Sequence, residues 1–346
     1  MSLKASVQHF QTLVMSFHPV IVIETVEEER VQALIQTACA DMQIAVFEWS
    51  IAQGLMRSPD SPDHRWQNEY APPGAKRSQA LPKTTESLDM LRHIQDMTIK
   101  AVYWLKDFAE YFKEPVVARQ FREVVQQFAL TRSTLVLSGV GLELPAEIAH
   151  DAVYLDLKLP QPEELYATVS EVARALKGRV KVELAPEDIH ALVKALQGMT
   201  LSQARKVVSY AALQDGKLNA EDIQRVQERK ARVIHEEGLL DYFPPEANLA
   251  ELGGFEGLKR WLAYARVGFT SQARTYNLPA PKGILVVGMQ GCGKSLAAKT
   301  IACQWNLPLL KLDAGRLYDK YIGESDKNFR RAVTLAETMA PCILWI

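Results

Sequence analysis

Eight residues, Gly288-Met-Gln-Gly-Cys-Gly-Lys-Ser295, satisfy the pattern G-x-x-x-x-G-K-[ST] at every required position. Each part has a physical task. Gly288, Gly291 and Gly293 let the backbone wrap closely, so that its N–H groups point at phosphate oxygens. The helix that follows adds the partial positive charge of its N-terminus. Lys294 brings a point charge to the β- and γ-phosphates, and the Ser295 hydroxyl is placed to ligate Mg²⁺. Cys292 and Leu296 complete the surroundings. This chemistry is that of a nucleotide site, with ATP and Mg²⁺ as the cofactors it best fits. Such a loop needs a buried strand before it and a helix after it. Ile284-Leu-Val-Val287 reads as that strand and residues 295–304 as that helix.

Other residues invite weaker readings. Cys292 sits inside the loop, where a small side chain simply fits; a redox-sensitive thiol is the alternative. Leu252-Gly253-Gly254-Phe255 precedes the loop and reads as a linker turn or as backbone that approaches an adenine ring. Tyr321-Ile322-Gly323-Glu324-Ser325 lies between two helical stretches, and its composition alone favours local packing of Tyr321 and Ile322. The first half of the chain has no phosphate loop. After its first strand stands Thr25-Val-Glu-Glu-Glu29, whose carboxylates suit a helix dipole but repel a triphosphate. Asp107 follows a strand at the place of a metal-binding carboxylate, and without a phosphate cradle it reads as a solvated strand end.

The elements that must position these residues form two α/β patterns with a helical stretch between them. In the first, strands are expected at Val20-Ile-Val-Ile23, 45–49, 101–105, 134–137 and 152–157. Helices over 27–40, 87–97 and 116–129 alternate with them, and Thr25 with Glu28 suggests a capping box. Residues 56–84, rich in Ser, Pro and Gly, read as an exposed loop. Alternation of this kind predicts a parallel sheet covered by helices on both faces. Between residues 163 and 236 strands give way to four amphipathic helices, over about 163–176, 187–196, 202–213 and 220–235. The second pattern follows Phe243-Pro-Pro245: strand, glycine loop, helix, strand 309–312, helix 326–338 and strand 342–346.

The 346 residues suffice for two domains, and 48% hydrophobic with 23% charged residues is ordinary globular composition. A formal net charge of −1 gives no support for a general nucleic-acid or anionic-membrane surface. Four scattered cysteines with no C-x-x-C pair suit free thiols in a reducing compartment. The seven histidines lack helical ligand spacing, so no separate metal site is expected. The start of the chain does not read as a signal peptide, and the apolar runs are strand-sized, so a cytoplasmic protein is expected.

Leu252-Gly-Gly-Phe-Glu-Gly-Leu-Lys259, the phosphate loop and Tyr321-Ile-Gly-Glu-Ser325 resemble, in order and spacing, the AAA ATPases. More narrowly, the chain is similar to the uncharacterised plastid and cyanobacterial members of the hypothetical chloroplast reading-frame type. The resemblance implies a P-loop NTPase-like α/β fold. It implies a degenerate AAA-like domain over 1–160, a helical lid over 161–240 with Gly198-Met-Thr200 in a lid-like position, and a partial AAA domain over 246–346. It places Gly288, Gly291, Gly293, Lys294 and Ser295 on phosphate and Mg²⁺, Gly253 and Gly254 near adenine, and Tyr321, Ile322 and Gly323 in a channel-facing pore loop. It further implies a ring, a hexamer by family habit, that remodels a protein substrate, and a plastid stroma if plastid-encoded. The family's acidic pair follows the strand that ends here at Ile346, so residues 1–346 contain no catalytic residue of that set. They are expected to bind nucleotide weakly, if at all, and not to hydrolyse it. A nucleotide-regulated adaptor and a nucleic-acid motor are the alternatives.

Overall fold

The computed structural model describes residues 3–58, 61, 80–97, 99–243, 256–269, 273, 275–276, 278, 281–305, 307–313 and 324–346. Two compact units, Met1–Gln161 and Pro162–Ile346, divide the chain.

The first unit is built on six strands: β1 (Val20–Glu24), β2 (Ala45–Ser50), β3 (Gly54–Arg57), β4 (Ala101–Lys106), β5 (Thr134–Gly139) and β6 (Ala152–Tyr154). Their order across the sheet is β3-β2-β4-β5-β1-β6; all neighbours run parallel except β3, which returns antiparallel along β2 at the edge. The run Val20-Ile-Val-Ile23 is wholly apolar because both of its faces are covered. Val20 and Val22 enter one hydrophobic cluster, Ile21 and Ile23 the other, as a period of two requires. Helices α1 (Leu3–Met15) and α2 (Glu28–Met42) close one face through Phe10, Val14, Leu34 and Ile35. Helices α3 (Ser87–Asp96) and α4 (Pro115–Thr131) close the other through Leu91, Ile94, Phe121 and Phe128. A short 3₁₀ segment, Phe108–Lys113, and a single turn of helix, α5 (Ala146–Ala149), fill the connections after β4 and β5.

Two expectations for this unit change. The 56–84 stretch begins with the end of β3, a strand the composition hid. Thr25 does not form a capping box with Glu28: the N-cap is Glu27, and Thr25 Oγ1 accepts from the Glu27 N–H at 3.1 Å. The hydroxyl closes a local turn at the end of the strand instead of reaching a helical amide.

In the second unit, α6 (Pro162–Ala175), α7 (Pro186–Leu196), α8 (Leu201–Asp215) and α9 (Asp222–Glu237) pack around Leu165, Leu192, Leu196, Val208 and Val226. The expected absence of strands here is nearly met; β7 (Lys181–Val182) and β8 (Lys217–Leu218) form one two-residue parallel pair. Thr200 caps α8 with a reciprocal box, Oγ1 accepting from the Gln203 N–H and Gln203 Oε1 accepting from the Thr200 N–H. Beyond the bundle, β9 (Leu240–Phe243), β10 (Leu309–Leu312) and β11 (Ile343–Trp345) make a three-stranded sheet in the order β11-β10-β9. Here β10 runs parallel to β11 and antiparallel to β9. The helices described in this part are α10 (Glu256–Ala265), α11 (Lys294–Trp305) and α12 (Glu324–Thr338). Among the described residues no helix is long and apolar enough to cross a membrane.

Candidate functional site

The glycine loop leads directly into α11. Gly291 and Gly293 both adopt φ of +84°, a conformation that a side chain disfavours, and so turn successive N–H groups of the loop in a way other residues resist. Helix α11 starts at Lys294, with the Ala297 N–H donating to the Gly293 carbonyl at 2.9 Å as its first bond. The Lys294 ammonium donates to the carbonyls of Gly288 (2.8 Å) and Met289 (2.6 Å), and Cys292 Sγ lies 3.8 Å from it. That sulfur packs on Gly288 so closely that a Cβ there would come within 2.6 Å. Ser295 and Leu296 stand exposed on the first turn of α11.

This donor set fits a phosphate: left-handed glycines, a helix N-terminus and one ammonium, with no carboxylate in the loop to oppose it. Among the described residues no cluster of three or more His, Cys, Asp or Glu gathers to hold a metal ion. A Mg²⁺ would therefore be held by the Ser295 hydroxyl together with phosphate oxygens. Such binding would neutralise phosphate charge; the chain's own residues orient the triphosphate.

Gly293 gives a local test. A Cβ there meets no atom within 4 Å, so the cost of Gly293→Ala is backbone strain alone, about 1–2 kcal/mol. Hydrogen exchange of the Ala297 amide is expected to rise about tenfold in that variant. Unchanged exchange would show that the loop holds its shape without the glycine.

The strand expected at Ile284–Val287 is not formed. Residues 281–289 have no regular structure, and Leu285 and Val287 are 89% and 82% exposed, whereas Val20, Ile21, Val22 and Ile23 of β1 are fully buried. The reason lies in the topology. In the first unit β1 is first in the chain yet sits between β5 and β6, which come last. In the second unit the parallel β10·β11 pair repeats the β2·β4 pair. No described strand takes the place of β5 or β6, so residues 284–287 have no neighbours to bond. Gly253, Gly254, Tyr321, Ile322 and Gly323 lie outside the described residues.

At the corresponding strand-to-helix turn of the first unit, carboxylates are tied down internally. Glu27 and Arg30 form a buried pair at 2.9 Å, and Arg30 also donates to the Lys158 carbonyl at 2.8 Å. Lys106, at the end of β4, lies 3.1 Å from Glu48 and 3.8 Å from Glu28, with its ammonium over the Trp104 ring. The sequence reading missed these cations; Arg30, three residues beyond Glu27 on a helix, was the available signal. Asp107 stands exposed just beyond, at the mouth of an open cleft of about 650 Å³ lined also by Glu110, Lys113 and Glu143.

A glycine loop running into a helix N-terminus, in a unit that also carries the parallel β10·β11 pair, defines a P-loop type of protein. Comparison with protein families refines this. Residues 6–157 match the SpoVK-like AAA ATPase N-terminal domain, 163–237 the SpoVK-like AAA ATPase second domain, and 284–346 the ATPase family associated with various cellular activities. All three matches are to AAA ATPase sequences, and together they cover most of the chain.

Among curated proteins it is 33% identical over 343 residues to an uncharacterized AAA domain-containing protein, ycf46, of Guillardia theta, covering 98% of this chain and 63% of that one. A protein of the same description from Pyropia yezoensis is 30% identical over 341 residues, covering 98% of this chain and 65% of that one. The mouse nuclear valosin-containing protein-like protein is 34% identical over 104 residues, 29% of this chain and 12% of its own length. The chain thus spans less than two thirds of the first two relatives.

Proposed function

We propose that this chain binds ATP with Mg²⁺ at Gly288, Gly291, Cys292, Gly293, Lys294, Ser295 and Leu296, as part of a ring-forming AAA motor that remodels a protein substrate. The observation that carries the reading is the loop itself: two left-handed glycines and Lys294 at the start of α11. Gly253 and Gly254 would approach the adenine, and Tyr321, Ile322 and Gly323 would grip an extended polypeptide in a central channel. The working division is 1–160 as a nucleotide-free α/β domain, 161–240 as its helical lid, and 246–346 as the nucleotide-binding part. A hexamer in the cytoplasm or plastid stroma is the assembly this implies.

Hydrolysis needs charge neutralised and a water aligned at the transition state. The segment that should brace the loop, 284–287, is unpaired, so binding without turnover is the expectation for residues 1–346 by themselves. Titration with a fluorescent ATP analogue in Mg²⁺ checks the assignment of the site. Residues 1–346 are expected to bind and residues 1–161 are not. Saturable binding by 1–161 would overturn the division, and phosphate release by 1–346 that Lys294→Ala abolishes would overturn the absence of turnover.

A second reading, a scaffold whose nucleotide only sets assembly, draws on the first unit. At the turn where a phosphate loop would stand it carries the buried Glu27–Arg30 pair, with Glu28 3.8 Å from Lys106. Partner capture by the first unit that ignores ATP would favour it.

A further inference from the structure

Helix α9 serves two cores at once. Ile223, Val226 and Val233 face the bundle cluster, while Ala231 and Ile234 pack with Leu310, Leu312, Ala332 and Ala336 of the sheet layer. At its end Gly238, with φ of +83°, turns the chain straight into β9. Strand β9 then pairs with all four residues of β10, from Phe243 opposite Leu309 to Leu240 opposite Leu312. The Asp313 N–H adds a further bond to the Leu239 carbonyl.

The far end of this segment reaches the phosphate-loop helix. Lys299 of α11 places its ammonium over the Phe243 ring, 5.1 Å from the centroid. A second contact ties the bundle to the same layer. The turn between α7 and α8 carries Gly198 at φ +86°, and a Cβ there would meet Met339 Sδ at 2.9 Å and Leu335 Cδ1 at 3.4 Å. Only glycine permits both that backbone and that approach.

We propose that α9 and β9 form a rigid arm through which occupancy of the Gly288–Ser295 loop is relayed to the helical bundle. The path runs from α11 through Lys299 and Phe243 to β9, and from there along α9 into the bundle. It rests on the phosphate-loop reading above. The physical basis is continuity: β9 is hydrogen-bonded along its length, and α9 has apolar contacts on both faces, so neither can shift alone. In effect the bundle is a readout of the nucleotide site in its own unit. Coupling of this kind is reciprocal, so holding the bundle should alter nucleotide affinity by the same factor.

Hydrogen exchange on residues 1–346, with and without saturating ATP and Mg²⁺, tests the relay, and a fluorescent ATP analogue measures occupancy separately. Nucleotide is expected to slow exchange about fivefold or more in α9 and in the 197–200 turn. Phe243→Ala and Lys299→Gln break the contact from opposite sides. Each should still bind nucleotide, and each should lose the response in the bundle. Binding with no change in the bundle would overturn the arm and leave the loop assignment intact. Variants that respond like the wild type would overturn it too, since the signal would then bypass Phe243. Absence of binding by the wild type would sink the loop assignment, and the relay with it.

Discussion

Replacing Lys294 by alanine is expected to lower ATP·Mg²⁺ affinity 10- to 100-fold, a loss of about 1.4–2.8 kcal/mol, while leaving secondary structure unchanged. The two halves of this expectation have separate grounds. In the structure the ammonium donates to the Gly288 and Met289 carbonyls of an exposed loop, with Cys292 Sγ at 3.8 Å, bonds that water replaces at small cost. Toward a triphosphate it is the only formal positive charge in the eight-residue motif. Lys294→Arg separates charge from shape. A guanidinium keeps the charge but spreads it over a planar fork, and the loop offers a compact carbonyl-lined position suited to a point charge. Arginine is therefore expected to recover only part of the affinity. Calorimetric titration gives the affinities and far-UV circular dichroism the fold. Wild-type affinity in the alanine variant would remove the loop from the nucleotide site.

The parts of the fold legible in the sequence were those whose pattern is local. Val20-Ile-Val-Ile23 reads as a strand covered on both faces, and the helices at 87–97 and 116–129 announce themselves by apolar spacing. Each was found within a residue or two of its place. What escaped was non-local or too short for periodicity. Strand β3 has four residues, and β9 lies beside Pro244-Pro245 and looks like a breaker until β10, some seventy positions later, supplies its partner.

The loop motif was legible because glycine and lysine spacing encodes its chemistry. Residues 284–287 misled for the opposite reason: an apolar run signals a capacity for strand, and the strand forms only when neighbours accept its backbone bonds. Comparison of the two units makes this concrete, since Val20–Glu24 has β5 and β6 on either side and 284–287 has neither. The carboxylates at 27–29 read as an obstacle to phosphate. What composition could not show is that Arg30 holds Glu27 in a buried pair and that Lys106 stands 3.8 Å from Glu28.

Lys230 should make the second unit more stable as pH rises from neutrality, and Lys230→Met should remove that dependence. The side chain leaves α9 with 2% of its surface exposed, and its ammonium rests over the Tyr242 ring, 5.0 Å from the centroid. No ion pair to it occurs among the described residues. The titratable groups around it are Tyr242 of β9, whose hydroxyl burial pushes up to about 12, and Cys342 ahead of β11, whose thiol burial pushes up to about 11. Neither is an anion at neutral pH, and the nearby His235–Asp241 pair is engaged with itself at 2.8 Å.

Burial accordingly lowers the Lys230 ammonium from 10.5 to about 7. Because the folded value lies below the unfolded one, the unfolded chain binds the extra proton between about pH 7 and 10.5. Stability must therefore climb with pH across that window, and the cost of the buried charge is felt in full below it. Methionine fills similar volume without a charge, so the variant is expected to gain roughly 1–3 kcal/mol at pH 7. The advantage should shrink toward pH 10. Calorimetric melts of both proteins from pH 6 to 10 measure the difference, in which groups common to the two cancel. A constant gap across the range would mean that the Lys230 ammonium keeps its proton in the core. A methionine variant less stable than the wild type at pH 7 would mean that the Tyr242 ring more than compensates the burial of the charge.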